Sequence, residues 1–147
     1  MSIIVWIRDS QYGMPITQSV HLVGLTLLLA TVLVLNLRLA GVALKDSSLD
    51  WLAQQLRPWM LGGLTVVVLS GALIFVGTPA KYLASNPFRV KMAVLGLAIL
   101  FQYSALRRFA APDSAPRPRA VCLIVAALSL TLWFTVGWAG RAIAFIP

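Results

Sequence analysis

The sequence predicts an all-α integral membrane protein: a bundle of four transmembrane helices behind a short N-terminal interfacial helix. Three observations carry that prediction. Of 147 residues, 60% are hydrophobic and only 11% are charged, where a soluble domain is about half apolar and about a quarter charged. The mean hydropathy is +0.89. The twelve Lys and Arg residues, which give a net charge of +8, are scattered between long apolar runs. A basic nucleic-acid surface gathers its cations on one face, so no nucleic-acid partner is expected. The lipid bilayer is. Disorder is excluded by the apolar content, and the length fits a single domain over 1–147.

The elements follow in order. Ser2 to Ser10, with Trp6, reads as the interfacial helix. Gly13-Met14-Pro15 then breaks the chain. Residues 10–37 form a run of 28 positions without a charge, well above the roughly 20 that cross a hydrocarbon core. The first span is placed at about 16–43. It is not a cleaved signal peptide, because no basic segment opens it and Arg38 stands where small residues would.

Ser48 to Arg57 reads as an amphipathic turn or two, with Leu49, Leu52, Ala53 and Leu56 opposite Asp50, Gln54 and Gln55. It leads into the second span, about 58–78, where Pro58 is a kink or a restart. Ser85-Asn86-Pro87 is a cap with proline at the first helical position, opening a third span at about 87–109. Its charge-free core, 92–106, is short, but Arg89, Lys91, Arg107 and Arg108 can snorkel to the interfaces. Ala110 to Pro118 is a proline-rich loop, and the fourth span is placed at about 119–144.

Four spans put both termini on one side. The loops joining spans 1–2 and 3–4 hold Arg38, Lys45, Arg57, Arg107, Arg108, Arg117 and Arg119, seven cations against five (Arg8, Lys81, Arg89, Lys91, Arg141) on the other side. That bias puts those loops in the cytoplasm and both termini outside a bacterial inner membrane. Spans 1 and 3 share a weak pattern: an amide near the end, Asn36 or Gln102, then Leu37-Arg38 or Leu106-Arg107. It reads as a repeated hairpin or as coincidence in a Leu- and Arg-rich chain.

The candidate chemistry is narrow. There is no Glu, and Asp9, Asp46, Asp50 and Asp113 all read as loop residues. No carboxylate relay is therefore expected inside the membrane. A single cysteine, Cys122, excludes an intrachain disulfide and a multi-thiolate metal site. The one histidine, His21, lies just inside span 1. It reads either as a neutral side chain bonded to a nearby hydroxyl or carbonyl, with Thr17 one turn away, or as a haem-iron or metal ligand or a partner for a quinone oxygen. Lys91 and Arg141 each lie about a turn inside their spans, and Trp138 is beside Arg141. With Arg89 they form a candidate cofactor-binding group around His21, suited to haem propionates or a phosphate. The competing reading makes the cations snorkelling anchors, with Trp6, Tyr12, Tyr82 and Trp138 as an aromatic belt.

Asn36, Arg38 and Gln102 are read as structural polar residues that bond across helices. Gly24, Gly62, Gly63, Gly71 and Gly96 permit close helix approach, and Gly63, Ser70 and Gly71 put small residues on one side of span 2. Met14 and Met92 lie near the same face as His21, so core filling competes there with a His–Met site.

The segments SVHLVGLTLLLATVLVLNLRLAG (19–41), LRPWMLGGLTVVVLSGALIF (56–75) and NPFRVKMAVLGLAIL (86–100) resemble a family of small uncharacterised bacterial inner-membrane proteins with four predicted helices. The resemblance covers most of 6–109 and rests on His21, Asn36, Leu37, Arg38, Pro58, Trp59, Asn86, Pro87, Phe88, Arg89 and Lys91. Members of that family often carry Asp where this chain has Asn36. The resemblance implies the architecture and points to His21 and Lys91, without an activity. A looser resemblance is to four-helix cytochrome b-like and copper-resistance membrane proteins. Those use several histidines, so a bis-His haem within this one chain is not available.

Three functions remain. The first is a membrane redox or binding module holding haem b or a quinone near the external face, a partner to an oxidoreductase. The second is an oligomeric small-anion transporter using Arg38, Lys91 and Arg141. The third is a structural or assembly subunit of a membrane complex. Catalysis by the chain alone is not expected, since no nucleophile, base or metal set is visible. The first is preferred, because it gives His21 and Lys91 a common purpose; a homo-oligomer or a complex partner goes with all three.

Overall fold

The structure, a computed structural model, describes residues 2–112, 115–143 and 145. Its elements are α1 (Ile3–Asp9), α2 (Gly13–Leu39), α3 (Leu49–Gly77), α4 (Pro79–Ala84), α5 (Asn86–Phe109) and α6 (Arg119–Ala142). The fold is all-helical, and α2, α3, α5 and α6 are long and apolar enough to cross a bilayer. The chain is a multi-pass membrane protein. Here the near end is where α2 and α5 begin and α3 and α6 finish; the far end is the other.

The helix ends follow local chemistry. Ser2 accepts from the Val5 N–H and so caps α1, which the sequence had anticipated as an interfacial helix. Its Arg8 guanidinium donates to Asp9 at 2.9 Å and holds that carboxyl below the usual range. Both groups are exposed, so the pair adds little stability. α1 is anchored instead by Ile7, which is 2% exposed and lies over Gly77 of α3. The turn from α1 to α2 needs Gly13: a Cβ there would stand 2.5 Å from the Trp6 carbonyl and 2.6 Å from Ile7 Cα.

α2 begins three residues earlier than the expected 16. Pro15 falls in its first turn, where a missing N–H costs nothing. It ends at Leu39, four residues short of the expected 43. Gly41, at φ +70°, is the reason. The Val42 N–H reaches the Leu37 carbonyl and the Gly41 N–H reaches that of Arg38, the paired bonds that close a helix on a left-handed residue.

The amphipathic segment and the second span are one helix, α3, with Pro58 inside it. Pro58 is therefore neither a restart nor an end. Leu52 is buried while Gln54 and Gln55 are exposed, so that segment presents the expected faces. The expectation that the acids lie in loops needs correction: Asp9 is the last residue of α1, and Asp50 lies in the first turn of α3, where its charge suits the helix dipole. α4 was not foreseen. Pro79 starts it, and Tyr82 packs against the stacked pair Phe75 and Phe88, with ring centroids 6.2 and 5.3 Å away. α5 and α6 match the expected starts within a residue; α6 ends at Ala142, and the expected last residue, Ala144, lies outside the described residues. Asp113 is also outside them.

Two antiparallel hairpins, α2–α3 and α5–α6, make the bundle. The α2–α3 seam is the tight one. A Cβ on Gly63 would stand 2.8 Å from the Leu28 amide nitrogen, and one on Gly24 would stand 2.6 Å from Val66 Cγ1. Backbone therefore meets backbone, the contact that small residues allow in membranes. The core between hairpins is Leu28, Val32, Val67, Ala98, Trp133 and Val136. Large side chains on the outer faces, such as Leu22, Val23, Leu69, Leu100 and Phe134, are exposed and face lipid.

This seam predicts a contrast between adjacent glycines. Gly63→Ala is expected to cost about 1–3 kcal/mol, because the new methyl meets α2 backbone that cannot yield. Gly62, with nothing within 4 Å of its Cβ position, should accept alanine with a gain of up to about 1 kcal/mol. Thermal unfolding of the detergent-solubilised protein checks both, and equal effects would refute the tight seam.

Candidate functional site

Each spanning helix carries one interior stripe. On α2 it holds Thr17, His21, Gly24, Leu28 and Val32, and on α3 Gly63, Val67 and Ser70. On α5 it reaches from Lys91 through Ala98 to Gln102, and on α6 from Ser129 through Trp133 and Val136 to Gly140. Polar groups on these stripes cannot face hydrocarbon unpartnered. They form two layers, one on each side of the apolar core.

The near-end layer centres on His21. Its Nδ1 lies 2.9 Å from Ser70 Oγ on α3. The Ser70 hydroxyl also contacts the Val66 carbonyl, which can only accept, and a hydroxyl has one proton to give. That proton goes to Val66, so Ser70 Oγ accepts from the His21 Nδ1–H. The remaining nitrogen, Nε2, then carries a lone pair. Gly71 makes room for the ring: a Cβ there would stand 3.4 Å from His21 Cε1. The neighbouring hydroxyl is thus Ser70, not the expected Thr17, which donates to its own helix at the Gly13 carbonyl.

Lys91 enters this layer from α5. Its side chain lies along Gly140 of α6, where a Cβ would stand 3.2 Å from Nζ. It is partly buried. Among the described residues it has no hydrogen-bond acceptor and no carboxylate partner. The structure therefore brings together His21 and Lys91, from different hairpins.

The other candidates at this end stand apart. Arg89 is exposed and donates to the Leu83 carbonyl at 3.0 Å. Arg141 is exposed, with its guanidinium 5.6 Å from the centre of the Phe145 ring. Trp138 is 71% exposed, on the outer face of α6. Met92 is 49% exposed, while Met14 lies against Gly77 and Met60 against the core. Among the described residues no group of three His, Cys, Asp or Glu side chains is placed to hold a metal.

The far-end layer is a clamp across three helices. Gln102 Oε1 accepts from Ser129 Oγ at 2.6 Å and from Asn36 Nδ2 at 3.4 Å. Asn36 Nδ2 also donates to the Val32 carbonyl. All three side chains are buried. Asn36 and Gln102 line a small cavity of about 10 Å³, room for roughly one water. The sequence had paired these two amides as structural, and Ser129 is the member it missed. Arg38 has a different task, donating to the Ser47 carbonyl and so drawing the α2–α3 loop back. Trp133, also missed, is 3% exposed, and its Nε1–H has no partner among the described residues.

Residues 2–146 match the family of unknown function DUF6644. The chain belongs to that family. No curated protein and no solved structure matches it significantly. In this DUF6644 member the match extends through α6, beyond the stretch on which the sequence resemblance rested.

The clamp yields a second contrast. Gln102→Leu strands two buried donors and is expected to destabilise by about 1–3 kcal/mol. Ser129→Ala removes one donor and leaves the Asn36–Gln102 bond, for a loss of about 1 kcal/mol. Melting temperatures of the two variants test the order, and a Ser129→Ala loss as large as that of Gln102→Leu would contradict the shared acceptor.

Proposed function

We propose that the protein is a membrane binding module for a quinone-type redox ligand, held near one membrane face by His21 and Lys91. The observation that supports this reading is the near-end layer itself. An imidazole with Nδ1 committed to Ser70 offers Nε2 as an acceptor, and across the bundle an unpaired ammonium offers donors. A quinol hydroxyl donates to the first, and a quinone carbonyl accepts from the second. Both groups sit at a depth that a lipid-soluble ring reaches from the bilayer. Lys91 also has a reason to remain unpaired within the chain, since its counterpart arrives with the ligand.

Haem b fits the same place less well. One histidine supplies one axial bond, and the donor set holds no second strong ligand beside it. Haem would take its other ligand from a second copy of the chain or leave that position open. The cation bias, seven against five, puts the near end and both termini outside the bacterial inner membrane. In that place the module would serve an external oxidoreductase, as a homo-oligomer or within a complex.

Solvent extraction of the protein purified in detergent is expected to release quinone. His21→Ala and Lys91→Met should each lower the recovered amount about ten- to hundredfold, the equivalent of one charge-assisted hydrogen bond. An absorption spectrum of protein grown with haem supplementation is read beside it. A Soret band lost in His21→Ala would reassign the ligand to haem. Well-folded protein without either ligand, or quinone retained in both variants, would overturn the reading and leave a structural or assembly role.

A further inference from the structure

The far end carries a second cavity, independent of His21 and Lys91. It is an open pocket of about 210 Å³. Leu39, Leu49 and Phe109 form its apolar wall, and Arg38, Arg117 and Cys122 complete it. These residues come from the end of α2, the start of α3, the end of α5, the loop after it and the first turn of α6. The pocket therefore lies at the depth where spans give way to head groups.

Among the described residues its charged lining is all cationic. Arg38 is fixed in direction, because its Nε donates to the Ser47 carbonyl. Its terminal guanidinium nitrogens have no partner among the described residues. Arg117 is steadied by the Phe109 ring, 5.0 Å from its guanidinium carbon. No acidic side chain lines the pocket among the described residues. At the start of α6, Pro118 occupies the cap position without a side-chain cap bond, and its carbonyl accepts from the Val121 and Cys122 amides. Two arginines from separate elements thus line one pocket beside the start of α6. Each part favours an oxyanion with several acceptor oxygens.

We infer that this pocket binds a phosphate-ester group through Arg38 and Arg117. The apolar wall and the interfacial depth favour a phospholipid head group as its carrier, with the glycerol and upper acyl atoms against Leu39, Leu49 and Phe109. A water-soluble phosphate ester shares the chemistry but leaves that wall uncovered. Fixed lipid at this position would bridge the α2–α3 and α5–α6 hairpins.

Cys122, the only cysteine in the chain, is a partly accessible free thiol on the pocket wall and serves as the reporter. The full-length protein is held in a sugar-headgroup detergent without phosphate, and the rate of Cys122 alkylation by a neutral maleimide is followed. Short-chain phosphatidylglycerol is added in one arm and glycerol phosphate in the other. Alkylation is expected to slow about tenfold when the added ligand reaches ten times its dissociation constant. Slowing with phosphatidylglycerol alone identifies a lipid site, and slowing with both identifies a general phosphate-ester site. Arg117→Gln should abolish the protection, whereas Arg108→Gln, exposed and outside the pocket, should keep it. If Arg117→Gln fails to fold, Arg117→Lys replaces it, retaining the charge without the fork, and should lose most of the protection. Absence of slowing in both arms, or equal slowing in the Arg117 variant, overturns the proposal.

Discussion

A polar side chain inside hydrocarbon has to find its partner within the protein, and that constraint organises the whole bundle. It turns His21, Ser70, Lys91, Asn36, Gln102 and Ser129 inward, and it turns Leu22, Leu69, Leu100 and Phe134 outward. The inward groups stand in two layers with an apolar core between them. Fifteen residues separate His21 from Asn36 on α2, and eleven separate Lys91 from Gln102 on α5, so the two layers stand roughly 16–22 Å apart along the helices. The layers therefore cannot share partners, and each must be satisfied locally. The far-end layer achieves this with three amide and hydroxyl side chains. The near-end layer does so only for His21.

Glycine placement makes that layering possible. Gly24 and Gly63 bring α2 and α3 together until backbone touches backbone. The same approach carries Ser70 to within bonding distance of His21 two turns away. On the other hairpin Gly140 leaves a groove in α6, and the Lys91 stem fills it. A side chain at Gly140 would push the ammonium away from the interior. Gly71 and Gly140 thus act less as hinges than as omitted side chains, one beneath the imidazole and one beneath the lysine.

Much of this was legible in the sequence. Charge-free runs mark the four spans because every charge in hydrocarbon is expensive, and the seam glycines, His21, Lys91 and the Asn36–Gln102 pair stand out as polar or small residues in apolar surroundings. The rest was hidden for physical reasons. α4 is too short to show a period, and its position is settled by the Tyr82 ring packing against two stacked phenylalanines. Ser129 and Ser70 are indistinguishable in sequence from serines that bond their own helix, as Ser19 and Ser104 do. Which hydroxyl His21 reaches depends on the register between α2 and α3, and no single helix encodes that. Arg89, Arg141 and Trp138 share a depth with His21 but not a face. Depth can be counted along a chain, whereas face at a frayed helix end depends on neighbours.

The two ends differ in what they leave unmet. At the far end, the buried amides and Ser129 satisfy one another inside the bundle, while Arg38, bonded to the Ser47 carbonyl, and Arg117, over the Phe109 ring, lie at its margin. At the near end, the demand lies within the bundle, since the Lys91 ammonium is partly buried without a described carboxylate. No glutamate exists in the chain, and Asp9 is committed to Arg8 outside the spans. An internal counter-ion would have been a simple solution for Lys91, available by one substitution on α6 or α3. Neither helix carries an acid on its interior stripe there. Among the described residues Lys91 therefore has no counter-ion within the chain, and that unmet charge is the feature on which the proposed ligand role rests.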